Sequence, residues 1–530
     1  VLGLCVCAAV GVIAALSARG LGPRRALLWT ALAAGALLAL RLSWVPDDTY
    51  ISMRYAANLA DGRGLVFTDG ERVEGYTNFL WTVTLALVHW IGLPLRDTAV
   101  ALCVAALLAT IAVTWRLGRR LVGGSGEGSV AAPLLVALSV PVFRAGGTGL
   151  ETAAFGLCVT AGTLLLACHV KEQDARRVRW AALWFAVAAL LRPEGIFHAG
   201  VAFAAAAFAA RARPGELRRC AAALAAVAVV VAAHVAWRWS YYGDVVPNTF
   251  HAKVGFTWEQ AGRGAKQAID FVKHGGWLVL APVAAAPFLA KRRPWTIPCV
   301  ATALATFAYV TLVGGDSLFL HRFFVPAIPC ALVAAEETVR CAAPSLGAWL
   351  RTRGGTAAAF VFPVALWAAT FDPTDSRLDV KRWDGVERAA ATVGGWLDET
   401  APQDATIAVE AAGAIPYHAL RLRVIDMYGL MDRRIAAADP SAPMGSRKAG
   451  HEKFDPAYVL SRHPTFVYLG RPTSWTSPEE DAPQRQAVLD LVERLPGATE
   501  AERAVLRDDY ELRVIAHDGA RFAIFVRRTR

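Results

Sequence analysis

From the N-terminus to about residue 370, long apolar runs alternate with short polar loops. Such runs, folded as helices, cross a ~30 Å hydrocarbon core. From residue 371 onward the apolar segments shorten to Thr406–Val409, Arg423–Asp426, Thr465–Tyr468 and Ala523–Val526. Runs of that length, set in polar sequence, read as strands of a small sheet. The pattern predicts a mostly α protein: a polytopic helical membrane domain of about 11–13 spans over residues 1–370, then a soluble α/β domain over residues 371–530. Phe371-Asp372-Pro373-Thr374-Asp375 marks the break, after a last span at residues 355–370. The first run, residues 1–16, fits a signal anchor with no cleavage pattern after it. One stretch, Asn78 to Trp90, is apolar but carries Trp81, His89 and Trp90, which suits an interfacial or re-entrant helix.

Composition supports this division. The chain has 530 residues, 55% hydrophobic, with a mean hydropathy of +0.38, too apolar for an ordinary soluble protein of this size. The net charge of +11 therefore points to loops at a membrane surface and not to nucleic acid. Arginine gathers at Arg19, Arg24, Arg25, Arg116, Arg119, Arg120, Arg176, Arg177, Arg211, Arg213, Arg292 and Arg293, which marks those loops as cytoplasmic. The intervening loops and the soluble domain then lie on the outer side of the membrane. All nine cysteines precede residue 371 without metal-ligand spacing, so they read as small core residues.

The outer loops hold most of the chemistry. Asp47-Asp48 follows the apolar stretch that ends at Trp44. Acids placed beside a bilayer are costly and point to function. A carboxylate can take the proton of a sugar hydroxyl as a bond forms, and two adjacent acids resist joint ionisation, which lifts one pKa. The plainer reading is that one Asp caps the helix that starts there. The pair can also ligate Mg²⁺ or Ca²⁺ through oxygen, although the sequence requires no cofactor. Arg54, Arg72, Lys253, His321 and Arg322 are candidate donor or phosphate binders, weighed against snorkelling at the interface. Glu74, Tyr76, Asn78, Tyr242 and Asp316 are further site candidates in the same loops. Glu151 suits a helix N-terminus, and Arg192-Pro193-Glu194 a local ion pair at a helix end. No dinucleotide turn, Walker loop or zinc-protease motif occurs, nor charged residues in the middle of several spans.

The ordered set Asp47-Asp48, Arg54-Tyr55-Ala56-Ala57-Asn58, Gly64-Leu65-Val66-Phe67, Glu71-Arg72-Val73-Glu74, Thr77-Asn78 and Trp81 resembles the first outer loop of GT-C glycosyltransferases. The chain is most similar to the mycobacterial terminal β-(1→2)-arabinofuranosyltransferases. The similarity continues through Gly149-Leu150-Glu151, Arg192-Pro193-Glu194, Tyr241-Tyr242-Gly243, Lys253, Gly314-Gly315-Asp316, Arg322, Arg423 to Leu430 and Gly450-His451-Glu452-Lys453. The resemblance implies inverting transfer of a sugar, arabinofuranose in the nearest relatives, from a polyprenyl-phosphate donor to a cell-envelope glycan. It implies that Asp47-Asp48 supplies the base. It leads us to expect the lipid tail between spans, its phosphate near Lys253, His321 and Arg322, and the glycan on the soluble domain. Three other readings compete: a GT-C transferase of another sugar to lipid or protein, a lipid-linked sugar transporter, and a non-catalytic wall-binding scaffold.

Overall fold

The computed structural model describes residues 23–122, 131–318, 321–342, 379–470, 473–474, 481–493, 495, 497–518 and 520–528. The expected signal anchor, Cys5 and Cys7, the last span at 355–370 and the break at 371–375 lie outside them. The chain divides into two compact units that do not follow its linear order. One comprises Val1–Ser43, Ala99–His234 and Gly264–Leu378; the other comprises Trp44–Thr98, Val235–Arg263 and Asp379–Arg530.

The first unit is helical. Four described helices are long and apolar enough to span a membrane: Leu95–Leu121, Thr152–Glu172, Glu216–Tyr242 and Pro294–Leu312, the last opening with a short 3-10 turn. Shorter helices, among them Pro23–Arg41, Arg176–Leu191, Gly195–Ala209 and Ala327–Ala342, pack with them. Small residues allow close approach. A Cβ on Gly162 would meet the Phe185 ring at 2.7 Å, so this glycine lets Thr152–Glu172 lie against Arg176–Leu191. The described cysteines are free, and Cys103, Cys158, Cys168, Cys220, Cys299 and Cys330 are buried, as small core residues should be.

Several buried charges in this unit are paired. Arg192 lies between Glu151, at 2.6 Å from Nη1, and Glu194 on Nε. Glu151 therefore does more than face a helix dipole: it anchors Thr152–Glu172 to the turn that opens Gly195–Ala209. Gly195 is obligatory in that turn, because a Cβ would meet the Ala189 backbone nitrogen. A buried His169–Glu216 contact of 2.7 Å likewise joins two span ends.

The second unit is mixed. Its sheet has the order β2-β1-β3-β6-β4, with β5 also paired to β6. The strands are β1 (Thr406–Val409), β2 (Arg423–Asp426), β3 (Phe466–Tyr468), β4 (Thr473–Ser474), β5 (Tyr510–His517) and β6 (Ala520–Arg527). β1 pairs in parallel with β2 and β3, while β6 runs antiparallel to β3, β4 and β5. Ile425, Val467, Phe525, Leu512 and Leu506 form one core beneath it. In parallel sheets the carboxyl ends of the strands face the ligand side. Here those ends carry Glu410 and Asp426.

Two helices of this unit come from its first segment, Trp44–Thr98: Asp47–Ala60 and Phe79–Trp90. The latter has 12 residues, so it rises only about 18 Å and falls short of a bilayer core. Leu87, Trp90 and Ile91 on it and just after it are exposed, as on an interfacial helix.

Candidate active site

Asp47 and Asp48 are the first two residues of the Asp47–Ala60 helix. The residue at its N-cap is Pro46, with no side-chain cap bond, so neither acid plays the capping role considered from sequence. Both stand where the helix dipole favours an anion. Asp47 is held further: its Oδ1 accepts the Ala414 backbone N–H at 2.7 Å, in the loop that follows β1. The chain passes so close there that a Cβ on Gly413 would overlap the carbonyl oxygen of Asp47. Burial pushes the Asp47 carboxyl up to about 6. The Ala414 and Gly413 amides and Lys448 pull the other way, and the neighbouring Asp48 raises it further. Such a group is half-ionised near pH 6 and mostly ionised at neutrality, the range suited to a general base.

Cationic residues gather around the pair. Lys253 ends the short helix Asn248–Lys253, and its stem packs on Gly450, where a Cβ would stand 2.9 Å from Cε. Lys448 acts on Asp47, while Lys448, Lys253 and Asp48 all act on His451. Burial and then Lys448 lower the His451 pKa to about 4, so its imidazole is neutral at pH 7. Its ring lies 4.4 Å from that of Tyr428. The loop bearing these groups is fixed by Glu452, fully buried, which accepts N–H bonds from Gly445, Gly450 and His451 and pairs with Arg263. Asp426, pushed by burial up to about 6, accepts the amides of Tyr428 and Met431 and shapes the adjoining turn.

The remaining predicted residues separate into framework and rim. Arg54 is a correction: it does not bind phosphate. It is fully buried, and its guanidinium donates to the carbonyls of Phe67, Pro416, Ala419, Leu420 and Leu422. Those partners use up the five donors a guanidinium possesses. Glu74 pairs in burial with Arg238, at 2.5 Å from Nε, and burial raises its pKa to about 6. Tyr76 and Tyr242 meet at 3.1 Å between hydroxyls, and Tyr242 donates to Leu65. Asn78 bonds Ser52 and Thr82. These groups brace the loop, whereas Arg72 is exposed and stacks on Tyr241, 4.7 Å from the ring centre. Asn248 donates to the Gly429 and Leu430 carbonyls and joins this segment to the turn after β2.

Asp316, His321 and Arg322 belong to the helical unit. Arg322 is chelated by Asp316 at 2.5 and 2.9 Å, and His321 faces Asp270 at 3.3 Å. Arg322 thus already has a carboxylate partner, and the His321 imidazole has one beside it. Arg322 also lines, with Arg192, Glu194, His198 and Tyr309, a narrow cleft. The structure thus brings together Asp47, Asp48 and Lys253 from the predicted set, and adds Lys448 and His451. The only sequence signal for that addition was the Gly450-His451-Glu452-Lys453 match.

A family model described as a domain of unknown function (DUF8728) matches residues 380–520. The terminal β-(1→2)-arabinofuranosyltransferase of Mycobacterium tuberculosis is 33% identical over 257 residues, 44% of this chain and 40% of that protein. Its namesake in Corynebacterium glutamicum is 28% identical over 327 residues, 52% of this chain and 45% of that protein. The chain thus spans less than half the length of these curated relatives. Among solved structures, ArnT from Cupriavidus metallidurans bound to undecaprenyl phosphate superposes with a TM-score of 0.56 at 13% identity, covering 94% of this chain and 97% of that one. Archaeoglobus fulgidus AglB, in complex with an inhibitory peptide and a dolichol-phosphate, gives 0.55 at 12% identity, covering 83% and 69%. The chain is a membrane protein with the polytopic GT-C fold and a C-terminal α/β domain, similar in sequence to two arabinofuranosyltransferases.

Proposed function

We propose that this protein is a membrane glycosyltransferase that moves a sugar from a polyprenyl-phosphate donor to a cell-envelope glycan at the outer face of the bacterial membrane. The observation that carries the reading is a carboxyl tuned to about 6 at Asp47 beside the Lys448 cation, with Lys253 and Lys448 both acting on the neighbouring His451. An acid next to cations is what transfer from a phosphate leaving group requires. The acceptor hydroxyl gives its proton to Asp47 as its oxygen bonds to the anomeric carbon. The bond from that carbon to the phosphate oxygen breaks, and the lipid phosphate departs with the electron pair. Lys253 and Lys448 stabilise the charge growing on it. Asp48 adds to the effect of burial in raising the pKa of Asp47, and keeps the pocket anionic on the acceptor side.

Direct displacement inverts the anomeric centre. The adjacency of two carboxylates also accommodates a two-step route, in which one Asp attacks first and configuration is retained. The anomeric form of the product separates the two. Similarity to the arabinofuranosyltransferases supports arabinofuranose as the sugar, and the soluble domain as the surface that holds the glycan. The paired acids suit Mg²⁺ or Ca²⁺ as an oxygen-bound ion, although Lys448 beside Asp47 weakens the case for one.

The test is turnover by purified protein with a panel of polyprenyl-phospho-sugars and an arabinan acceptor. Release of polyprenyl phosphate with matching growth of the glycan is expected for the arabinofuranosyl donor. Consumption of a different donor would reassign the sugar, and consumption of none would overturn the reading.

A further inference from the structure

At the end of the helix Trp258–Phe271, the backbone continues into a π-helical turn, Val272–Gly276. Such turns are rare and recur at functional sites. Asp270 and His274, four residues apart, lie on one face of this segment. His321 reaches the same place from the loop before Arg322–Phe324. The two oxygens of Asp270 lie one at 3.3 Å from His274 Nδ1 and the other at 3.3 Å from His321 Nε2. One ligand atom from each of the three residues falls within 4.8 Å of the others. Tetrahedral zinc with bonds near 2.0–2.1 Å holds its ligand atoms about 3.3 Å apart. The cluster is therefore close to the size an ion needs. His274 Nδ1 also lies 2.8 Å from the Asp270 carbonyl oxygen, and loading releases that contact or turns Nε2 to the ion.

The mounting is unequal, as in a site that is built on one side and open on the other. His321 is the fixed end. Its side chain is 11% exposed, its φ of 55° is left-handed, and its ring packs on Phe271 at 5.6 Å. Phe271 is itself stacked on Phe324 at 4.1 Å with an interplanar angle of 8°. Asp270 and His274 are nearly half exposed, which leaves a path from solvent.

We propose that Asp270, His274 and His321 form a binding site for a divalent transition-metal ion, zinc being the best fit to the donors. Two imidazoles and one carboxylate suit zinc and its neighbours, whereas Mg²⁺ and Ca²⁺ favour all-oxygen shells. Three protein ligands leave a fourth position for water or an anionic oxygen. This site is separate from Asp47-Asp48 in sequence and in donor chemistry, and it stands whether or not the transferase reading holds.

The test uses the full chain in detergent, with any affinity tag removed and metal stripped by chelator. Zinc is titrated calorimetrically and counted by mass spectrometry, with Mg²⁺ as control, in wild type, H274Q and D270N. Both substitutions are at exposed positions, and melting temperatures before loading check the fold. One zinc per chain in wild type is expected, with affinity at least about tenfold weaker in each variant and a zinc-induced rise in Tm confined to wild type. No bound zinc in wild type, or equal binding in the variants, would overturn the proposal and leave the cluster as an acid–imidazole ion pair.

Discussion

At the scale of single residues, the account turns on how neighbours divide the work of similar side chains. Asp47 and Asp48 are adjacent and chemically alike, but Asp47 takes backbone amides from the loop after β1 and is raised to about 6. Turnover should therefore rise with pH through about 6, as Asp47 loses its proton. Asp48→Asn removes a charge that raises Asp47, so its pH–rate curve should shift to lower pH. The stability effect has the opposite sign. An unfolded Asp47 titrates near 3.8 and the folded one near 6, so the native state binds the proton more tightly. Stability contributed by that proton is present at low pH and is lost as pH rises between those values. Asp47→Asn, measured by thermal melting at pH 7.5, should thus melt no lower than wild type. Lys253→Ala and Lys448→Ala should each raise KM for the lipid-linked donor several-fold, since each removes a charge-assisted phosphate contact. The acids were legible in the sequence because their position beside an apolar run is costly. Arg54 was misread because a phosphate-binding arginine and one that rivets carbonyls look the same in sequence. Lys448 and His451 stand some 400 residues along the chain from Asp47, with nothing local to announce the meeting.

Elements carry the second part of the argument. Strands β1 and β2 coincide with the apolar segments read from sequence, and β3 falls within the third. β5 was missed because Tyr510–His517 mixes charged and apolar residues along an edge, with half its positions only partly buried. What positions the site is less visible: Arg54 joins the Asp47–Ala60 helix to the Pro416–Leu422 turn through carbonyls that any sequence presents. Arg54→Ala should leave several buried carbonyls unsatisfied and cost more than about 3 kcal/mol, seen as a large drop in Tm. Arg54→Lys should rescue little of it, because one ammonium cannot reach five acceptors. Gly413→Ala is the complementary case. Its Cβ would displace Asp47 itself, so turnover should fall by at least about tenfold while the far-UV spectrum stays native.

For the whole molecule, composition separated a greasy helical part from a polar C-terminal one, and the fold agrees. It did not reveal that residues 44–98 and 235–263 pack with the C-terminal domain, because packing between distant segments leaves no periodicity in either. Loop charge leads us to expect this domain outside the membrane. The chain offers a convenient check, since no cysteine follows Cys341 and most described cysteines are buried. Glu399→Cys, at an exposed helix position, should react with a membrane-impermeant maleimide in intact cells. Labelling only after lysis would reverse the orientation. The most direct measurement for the account as a whole is single-donor turnover across pH 5–8 for wild type, Asp47→Asn and Asp48→Asn, with donor affinity measured alongside. The account predicts that Asp47→Asn binds the polyprenyl-phospho-sugar normally but loses about 10²-fold or more in kcat, and that Asp48→Asn stays active with its acidic limb moved down. Wild-type kcat in Asp47→Asn would contradict it.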